Sequence, residues 1–236
     1  MARIKYSALV SDMRNSLNGS TLSKNRAGNY IRNKVTPVNP RTAHQQANRA
    51  LFGALSSQWK SLSPAQRASW AAATKNFPYT DIFGDQKELD GKSLFIKFNA
   101  NLQNAGQPII QSAPVGVGIP EYAVTSAEAV YDAGVPEGVL QLTFSESAIP
   151  AGFTALVYAT PPTPAQIGFV KNRYRLIGAV TPASASVNVS SLYKARFKDL
   201  TAGDLDKVVH FRVAIVSNTT GQMGVPSGTE ATIEAN

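Results

Sequence analysis

The side chains of this chain that could do chemistry are two histidines and a group of acids, and their spacing fits neither catalysis nor metal binding. His44 and His210 are far apart in the sequence, and neither has a second ligand three or four residues away. We interpret His44 as an exposed helix residue and His210 as a strand residue on the more solvated face. The acids do not follow the ligand spacing of an EF-hand, so we interpret them as loop and capping residues. They are Asp81, Asp85, Glu88 and Asp90.

Sequence motifs for nucleotide binding and for nucleophilic catalysis are also missing. The chain has no P-loop and no G-x-S-x-G elbow, and Gly116-Val117-Gly118 lacks both the third glycine and the following helix of a dinucleotide fingerprint. It has no cysteine, which excludes disulfides and thiolate chemistry. We therefore predict that the protein is not an enzyme and that it needs neither a cofactor nor a metal.

Positive charge is concentrated near the N-terminus. Residues 1–60 hold ten Lys or Arg against one acid, Asp12, whereas residues 101–236 hold eight basic and ten acidic residues. The net charges are therefore +9 and −2, and the first region is expected to meet an anionic partner or an acidic protein face. The candidate anchoring residues, which would contact phosphates if the partner is nucleic acid, are Lys24, Arg26, Tyr30, Arg32, Lys34 and Arg41.

An arm and a group of helices are predicted to position these cations. Residues 1–38 show no sustained period and are rich in Ser, Asn and Gly, which predicts a basic extended arm; the same composition also fits a solvated, partly disordered tail. Residues 39–107 are predicted to form a small three-helix region. The first helix should be capped by Asn39 with Pro40 at its first position, and the second by a capping box of Ser63 and Gln66.

The predicted helices share an apolar core. Trp59 and Trp70 lie at helical spacing with neighbouring apolar residues, so we interpret both as core residues rather than as base-stacking platforms. Asp90 precedes a third helix, which ends near Gly106. Its apolar face is Leu94, Phe95, Phe98 and Leu102.

The second half of the chain has a different hydrophobic period. Residues 108–122 are rich in Pro and Gly and are predicted to be a linker, after which short runs of period two predict an antiparallel β-sandwich over residues 123–236. The clearest strand is 210–216, with Phe211, Val213 and Ile215 on one face. No apolar run approaches the ~20 residues of a membrane helix. The predicted fold class is α+β and multidomain.

The end of the chain resembles the last two strands of a fibronectin type III or immunoglobulin-like domain. The strand 210–216 is followed by Asn218, Gly221 and Pro226-Ser227, as in that family. The resemblance covers about 25 residues. It implies a fold rather than a function, because such sandwiches serve as adhesion, spacer and decoration modules.

The first hundred residues resemble uncharacterised proteins of tailed bacteriophages and prophages, which are often placed among virion structural genes. The residues that carry this resemblance are Ser23-Lys24-Asn25-Arg26-Ala27-Gly28, Asn39-Pro40-Arg41-Thr42, Gln45, Arg49, Trp59-Lys60-Ser61-Leu62-Ser63, Gln66-Arg67, Trp70 and Gly91-Lys92-Ser93-Leu94-Phe95. The resemblance implies a place in a virion assembled in the bacterial cytoplasm, as a capsid decoration, minor capsid or head-tail connector protein. It implies capsid, portal, neck or tail proteins as partners and several copies in a symmetric assembly.

Two other hypotheses stay open at this stage. Residues 55–67 are similar to the helix-turn-helix junction of an HMG box, which bends DNA through the minor groove and implies nucleic acid as the partner. The sandwich could alternatively bind a carbohydrate or a host surface through exposed tyrosine rings. The tyrosines concerned are Tyr122, Tyr131, Tyr158, Tyr174 and Tyr193.

Overall fold

The computed structural model describes residues 2–7, 10, 12–25, 28–36, 38–80, 86–132 and 138–235. The chain divides into two compact units, Met1–Ala47 and Asn48–Asn236. The described residues contain four α-helices and fourteen strands, with antiparallel sheets in both units and one parallel strand pair. The α+β class is therefore confirmed.

The first unit is built on a four-stranded antiparallel sheet. Its strands are β1 (Ala2–Arg3), β2 (Asn15–Leu17), β3 (Ser20–Asn25) and β4 (Gly28–Asn33), in the spatial order β1-β4-β3-β2. These strands correct the extended arm that we predicted for residues 1–38. The described residues between 15 and 33 form a β-meander instead.

The dipeptide Asn18-Gly19 explains this difference. Leu17 pairs with Ser20, so the hairpin loop has two residues, and Asn18 has a φ of 49°. Asn-Gly favours this hairpin because a tight two-residue turn needs left-handed backbone, which Asn and Gly tolerate best. The flanking strands carry mainly Ser, Thr and Asn, so hydrophobic periodicity did not reveal them.

The first helix, α1, spans Ala43–Ser61, so it begins later than predicted. Arg41 has a φ of 49°, which is not helical, and Asn39 Oδ1 accepts only from the Arg41 N–H, at 3.3 Å. Thr42 replaces Asn39 at the helix start: its hydroxyl accepts from the Gln45 N–H and its carbonyl from the Gln46 N–H. The predicted Asn39 cap is therefore wrong.

The next helices begin where the sequence predicted. Helix α2 (Pro64–Ala73) has the capping box, because the Gln66 N–H donates to Ser63 Oγ at 3.2 Å and the Ser63 N–H donates to Gln66 Oε1 at 2.9 Å. The short pair β5 (Tyr79–Thr80) and β6 (Gln86–Lys87) lies in the region predicted as a loop. Asp90 then caps α3 (Gly91–Asn104), accepting from the Lys92 N–H at 2.9 Å. Asp81 and Asp85 lie outside the described residues.

The helices enclose an aromatic core. Trp70 is fully buried and meets Phe95 edge-on, with ring centroids 5.4 Å apart, while Trp59 tilts against the same ring at 5.5 Å. The Trp70 Nε1–H donates to the Gln111 carbonyl at 2.8 Å. The prediction that both tryptophans belong to the core is therefore confirmed.

The rest of the chain forms one large mixed sheet and a fourth helix. Its elements are β7 (Val124–Tyr131), β8 (Val139–Phe144), β9 (Phe153–Ala159), β10 (Thr163–Pro164), β11 (Arg175–Val180), β12 (Ser186–Asn188), α4 (Ser190–Arg196), β13 (Lys207–Ser217) and β14 (Ser227–Ala235). The spatial order is β11-β9-β13-β14-β7-β8-β12, with β10 also beside β13. The sequence did not predict α4.

Strand β14 joins the two halves of this sheet. Residues 227–232 pair antiparallel with β13, and residues 233–235 pair parallel with β7. One hydrophobic core contains side chains from both halves, such as Leu142 of β8, Val157 of β9 and Phe211 of β13. The prediction that Phe211, Val213 and Ile215 share a buried face is confirmed.

The helices pack on the sheet within the second unit. Ala105, which follows α3, lies in one apolar cluster with Leu156 of β9 and Val216 of β13. The Asn101 side chain donates to the Gly221 carbonyl at 2.9 Å, and the Val117 N–H donates to Gln222 Oε1 at 2.7 Å. The predicted division into a helical domain, a linker at 108–122 and a separate sandwich thus differs from the structure, in which residues 48–236 form one compact unit.

Among the helices of the described residues, none is long and apolar enough to cross a membrane.

Candidate functional site

The N-terminal sheet separates the candidate anchoring residues between its two faces. Side chains that are directly paired across neighbouring strands share a face, and the side alternates along each strand. Tyr30 pairs with Ser23, and Arg32 pairs with Thr21. Tyr30 and Arg32 therefore lie together on a face that is otherwise polar, with Tyr30 half-buried and Arg32 exposed.

Lys24 lies on the opposite face. It pairs with Asn29, two residues along from the pair Leu22 and Ile31. This second face is more apolar than the first, and Lys24 is exposed at one end of it. Lys24 and Arg32 therefore cannot contact the same flat partner surface from one face of the sheet.

The remaining predicted anchoring residues lie beyond the strands. Lys34 directly follows β4, is exposed, and donates its backbone N–H to the Gly19 carbonyl at 2.9 Å. Arg41 is exposed before α1, and its carbonyl accepts from the Gln46 side chain at 3.0 Å. Arg26 lies outside the described residues.

The described residues of the first unit form almost no apolar core of their own. Leu22, at 8% exposure, is the one apolar side chain that is buried among the described residues up to Ala47. Four other apolar side chains are instead open to solvent. They are Met13, Leu17, Val35 and Val38, the last with 88% of its surface exposed.

Acidic residues are missing from a long part of the sequence that includes most of this unit. Between Asp12 and Asp81 the chain has ten Lys or Arg and no acid, a net charge of +10 over residues 13–80. Within the first unit, Asp12 already pairs with Arg14 at 2.9 Å. The other cations of the N-terminal sheet therefore have no acidic residue near them in sequence.

Two of the helical residues that resemble an HMG box make structural contacts within the fold. Arg67 donates from Nε to the Leu62 carbonyl at 3.1 Å and from a terminal nitrogen to the Lys60 carbonyl at 2.9 Å, which satisfies the C-terminal carbonyls of α1. Trp70 is enclosed in the core. These two side chains are consequently occupied by structural contacts.

A second group of polar side chains lies on the sheet of the second unit, on the face opposite the core. His210 Nδ1 lies 3.1 Å from Glu230 Oε2, and Arg212 is placed between Tyr158 of β9 and Gly228 of β14. His210 lies on β13, on the face opposite that of Phe211, as predicted, although only 14% of its side chain is exposed. Sequence reasoning missed this group because its members are far apart in the chain, and only the strand register brings them together.

The five tyrosines of the carbohydrate hypothesis have different environments. Tyr122 and Tyr193 are buried, and burial raises the pKa of the Tyr193 hydroxyl, which donates to the Thr160 carbonyl at 3.1 Å. Tyr131 packs against the same core. Only Tyr158 and Tyr174 are half-buried on the outer face of the sheet.

Among the described residues, no three His, Asp or Glu side chains lie together as a metal site would require.

Comparisons with known proteins give only distant structural neighbours. No family model matches the chain, and no curated protein matches it. Fusolin from the spindles of a Wiseana entomopoxvirus is 15% identical with a TM-score of 0.31, over 48% of this chain and 42% of the fusolin chain. Murine CRIg is 9% identical with a TM-score of 0.26, over 50% of this chain and 99% of that chain. CopC from Methylosinus trichosporium OB3b is 12% identical with a TM-score of 0.24, over 49% and 96%. Similarity at this level says nothing about what this chain binds.

Proposed function

We propose that this chain is a structural protein of a tailed-bacteriophage particle, anchored through its N-terminal unit to other virion proteins. In this role the second unit is presented on the particle as a decoration, minor capsid or head-tail connector module. The observation that carries the proposal is the composition of the first unit, a sheet with many cations whose described residues form almost no core. The resemblance of the first hundred residues to phage virion proteins supports the same role.

The small apolar core of its described residues indicates that the first unit needs a partner surface. A unit of 47 residues is stable only if it buries enough apolar surface to offset the entropy of ordering its backbone, about 1–2 kcal/mol per residue. Leu22 alone cannot provide this, whereas Leu17, Val35 and Val38 are exposed and available for burial. Docking on a partner would bury these side chains and stabilise the sheet.

The positions of the cations on the first unit indicate the shape and charge of the partner surface that it would fit. Lys24 and Arg32 extend from opposite faces, so a partner that contacts both must surround the sheet rather than lie against one side. Several protein subunits with acidic surfaces could do this in a symmetric shell. Such an arrangement uses cations for orientation and apolar side chains for affinity.

We also propose that the sheet of the second unit is an immunoglobulin-like sandwich of the fibronectin type III kind. Strands β11-β9-β13-β14 would form one layer and β7-β8-β12 the other, which is the strand grouping of that family. The shared core between the two groups supports two facing layers. A fold of this kind is compatible with a display role and does not define a ligand.

The test is the incorporation of the chain into particles. Particles purified by density gradient from a phage or induced prophage that encodes this sequence should contain the chain at a fixed copy number by quantitative mass spectrometry. Deleting residues 1–47 should leave the rest of the chain soluble in the lysate and absent from the particles. Arg32→Glu should reduce incorporation, whereas the control Lys97→Glu, an exposed cation on α3, should not.

If the full-length chain is absent from purified particles, the proposal is wrong. Incorporation of the deletion variant at the wild-type level would contradict the anchoring role of the first unit. Cryo-EM of the same particles would identify the subunits that contact residues 15–33.

A nucleic-acid role is the second candidate, and the acid-free stretch of residues 13–80 favours it. The contacts would come from the N-terminal sheet, since Arg67 and Trp70 are occupied. If about six phosphate contacts drive binding, log K should fall with log salt with a slope near −5. A filter-binding titration that shows no DNA affinity at low salt would eliminate this candidate.

A further inference from the structure

A partly buried arginine on the outer face of the sheet has no ion-pair partner among the residues that the structure describes. Phe211 and Val213 point into the core, so Arg212 between them points to the opposite side. Among the residues that the structure describes, no carboxylate lies within ion-pair distance of its guanidinium. A half-buried charge without a partner is costly unless a ligand or water compensates it.

The strands place two hydroxyl groups and an aromatic surface beside this arginine. Tyr158 lies directly opposite Arg212 on β9, and Tyr174 is close enough to interact with Arg212 electrostatically. Burial raises the pKa of both hydroxyls, and the opposing effect of Arg212 is smaller. Both tyrosines therefore stay neutral near pH 7 and can donate hydrogen bonds. Tyr158 is fixed in position because it packs on the apolar cluster of Leu156 and Val216.

The residue that pairs with Arg212 on its other side has no side chain. It is Gly228 of β14, and apart from its neighbours along the chain only the Phe211 carbonyl oxygen lies within 4 Å of a Cβ atom built there, at 3.4 Å. The absence of a side chain at Gly228 leaves an opening beside Arg212, through which the ligand proposed below would reach the guanidinium.

A carboxylate at the edge of this opening adds a hydrogen-bond acceptor. His210 precedes Arg212 by two residues on β13 and therefore lies beside it on the same face. Glu230 of β14 pairs with His210, and its Oε2 lies 3.1 Å from His210 Nδ1. His210 is nearly covered while Glu230 is 69% exposed, so the carboxylate is oriented by the ring and still open to a ligand. It would repel a simple anion but would accept hydrogen bonds from hydroxyl groups.

We propose that this face binds an acidic sugar, whose carboxylate is held by Arg212 and whose hydroxyls bond to Glu230. A planar guanidinium matches a carboxylate with two parallel hydrogen bonds, and the tyrosine hydroxyls and rings complete a surface suited to a polar ring. A neutral sugar lacks the carboxylate for Arg212. A phosphate-bearing sugar places more negative charge near Glu230.

The proposal is tested by titrating the full chain with methyl β-D-glucuronide and following backbone amides by NMR. Methyl β-D-glucoside is the matched ligand, since it differs at the carboxylate, and glucose 6-phosphate is the anion control. We expect saturable shifts at residues 158, 210–212 and 228–230 with the glucuronide. The affinities for the glucoside and for the phosphate should each be lower by about tenfold or more, because a charge-assisted hydrogen bond is lost or repulsion is added.

Variants separate a specific site from a general charge effect. Arg212→Gln should weaken glucuronide binding by about tenfold or more, and Tyr174→Phe, which keeps the ring, by a few-fold. Lys97→Gln removes one positive charge from α3 in the same unit and should leave binding unchanged. The inference is overturned by any of these results: no glucuronide binding, equal binding of the glucoside or the phosphate, or an Arg212→Gln chain that is folded by its NMR spectrum and binds like wild type. It does not depend on the virion role, so either proposal can fail alone.

Discussion

At the scale of single residues, Gly221 shows how one backbone position joins the helices to the sheet. It has a φ of 74°, its carbonyl accepts from Asn101, and a Cβ atom there would lie 2.3 Å from the Phe98 carbonyl oxygen of α3. Real Cβ atoms do not approach an oxygen so closely, and backbone cannot move away as a flexible side chain can. Only glycine fits between this turn and the helix.

We therefore expect Gly221→Ala to lower the free energy of unfolding by about 2–4 kcal/mol, combining left-handed strain with a backbone clash. Gly203→Ala is the matched control, because a Cβ atom there would meet only Thr201 Oγ1, at 3.7 Å. Its effect should stay within about 0.5 kcal/mol. Urea denaturation followed by tryptophan fluorescence measures both, and equal stabilities of the two variants would contradict the tight contact.

At the scale of elements, prediction from sequence succeeded where a local signal has one structural meaning. Two caps mark where a helix begins: the capping box of Ser63 and Gln66, and the Asp90 cap. The alternation of apolar residues around Phe211 likewise indicates which face of the strand is buried. The start of α1 was predicted wrongly because two residues three positions apart, Asn39 and Thr42, are both of a type that caps helices. Arg41, which lies between them, has a left-handed backbone, and this excludes a helix that starts at Asn39. Arginine has no preference for that conformation, so the sequence gives no sign of it.

The N-terminal strands show a second reason for failure. Apolar and polar residues do not alternate regularly along them, so hydrophobic periodicity does not indicate a strand. The turn dipeptide Asn18-Gly19 was the only usable sign of a hairpin. The surface around Arg212 could not be predicted at all. Its members come from β9, β13, β14 and the approach to β11, and only their register makes them neighbours.

At the scale of the whole molecule, the second unit should unfold as one cooperative body. The helical core and the sheet share the cluster of Ala105, Leu156 and Val216 and the contacts at Gly221, so neither can lose its structure without exposing the other. Fluorescence of Trp59 and Trp70 reports the helical core, and amide exchange of β13 reports the sheet. Their urea midpoints should coincide. A fluorescence transition at lower urea than the loss of β13 protection would instead indicate the two independent domains that the sequence predicted.

The pairing of β14 with both β13 and β7 has a kinetic consequence. Ile233 pairs with Ala129, a separation of 104 positions (233 minus 129), so this contact closes one of the longest loops in the unit and should form late. Before it forms, β14 and β7 each present an unpaired edge, and open edges are templates for pairing between molecules. Refolding should thus pass through an aggregation-prone intermediate. The yield of refolded protein should fall as the protein concentration rises, however stable the native sheet is.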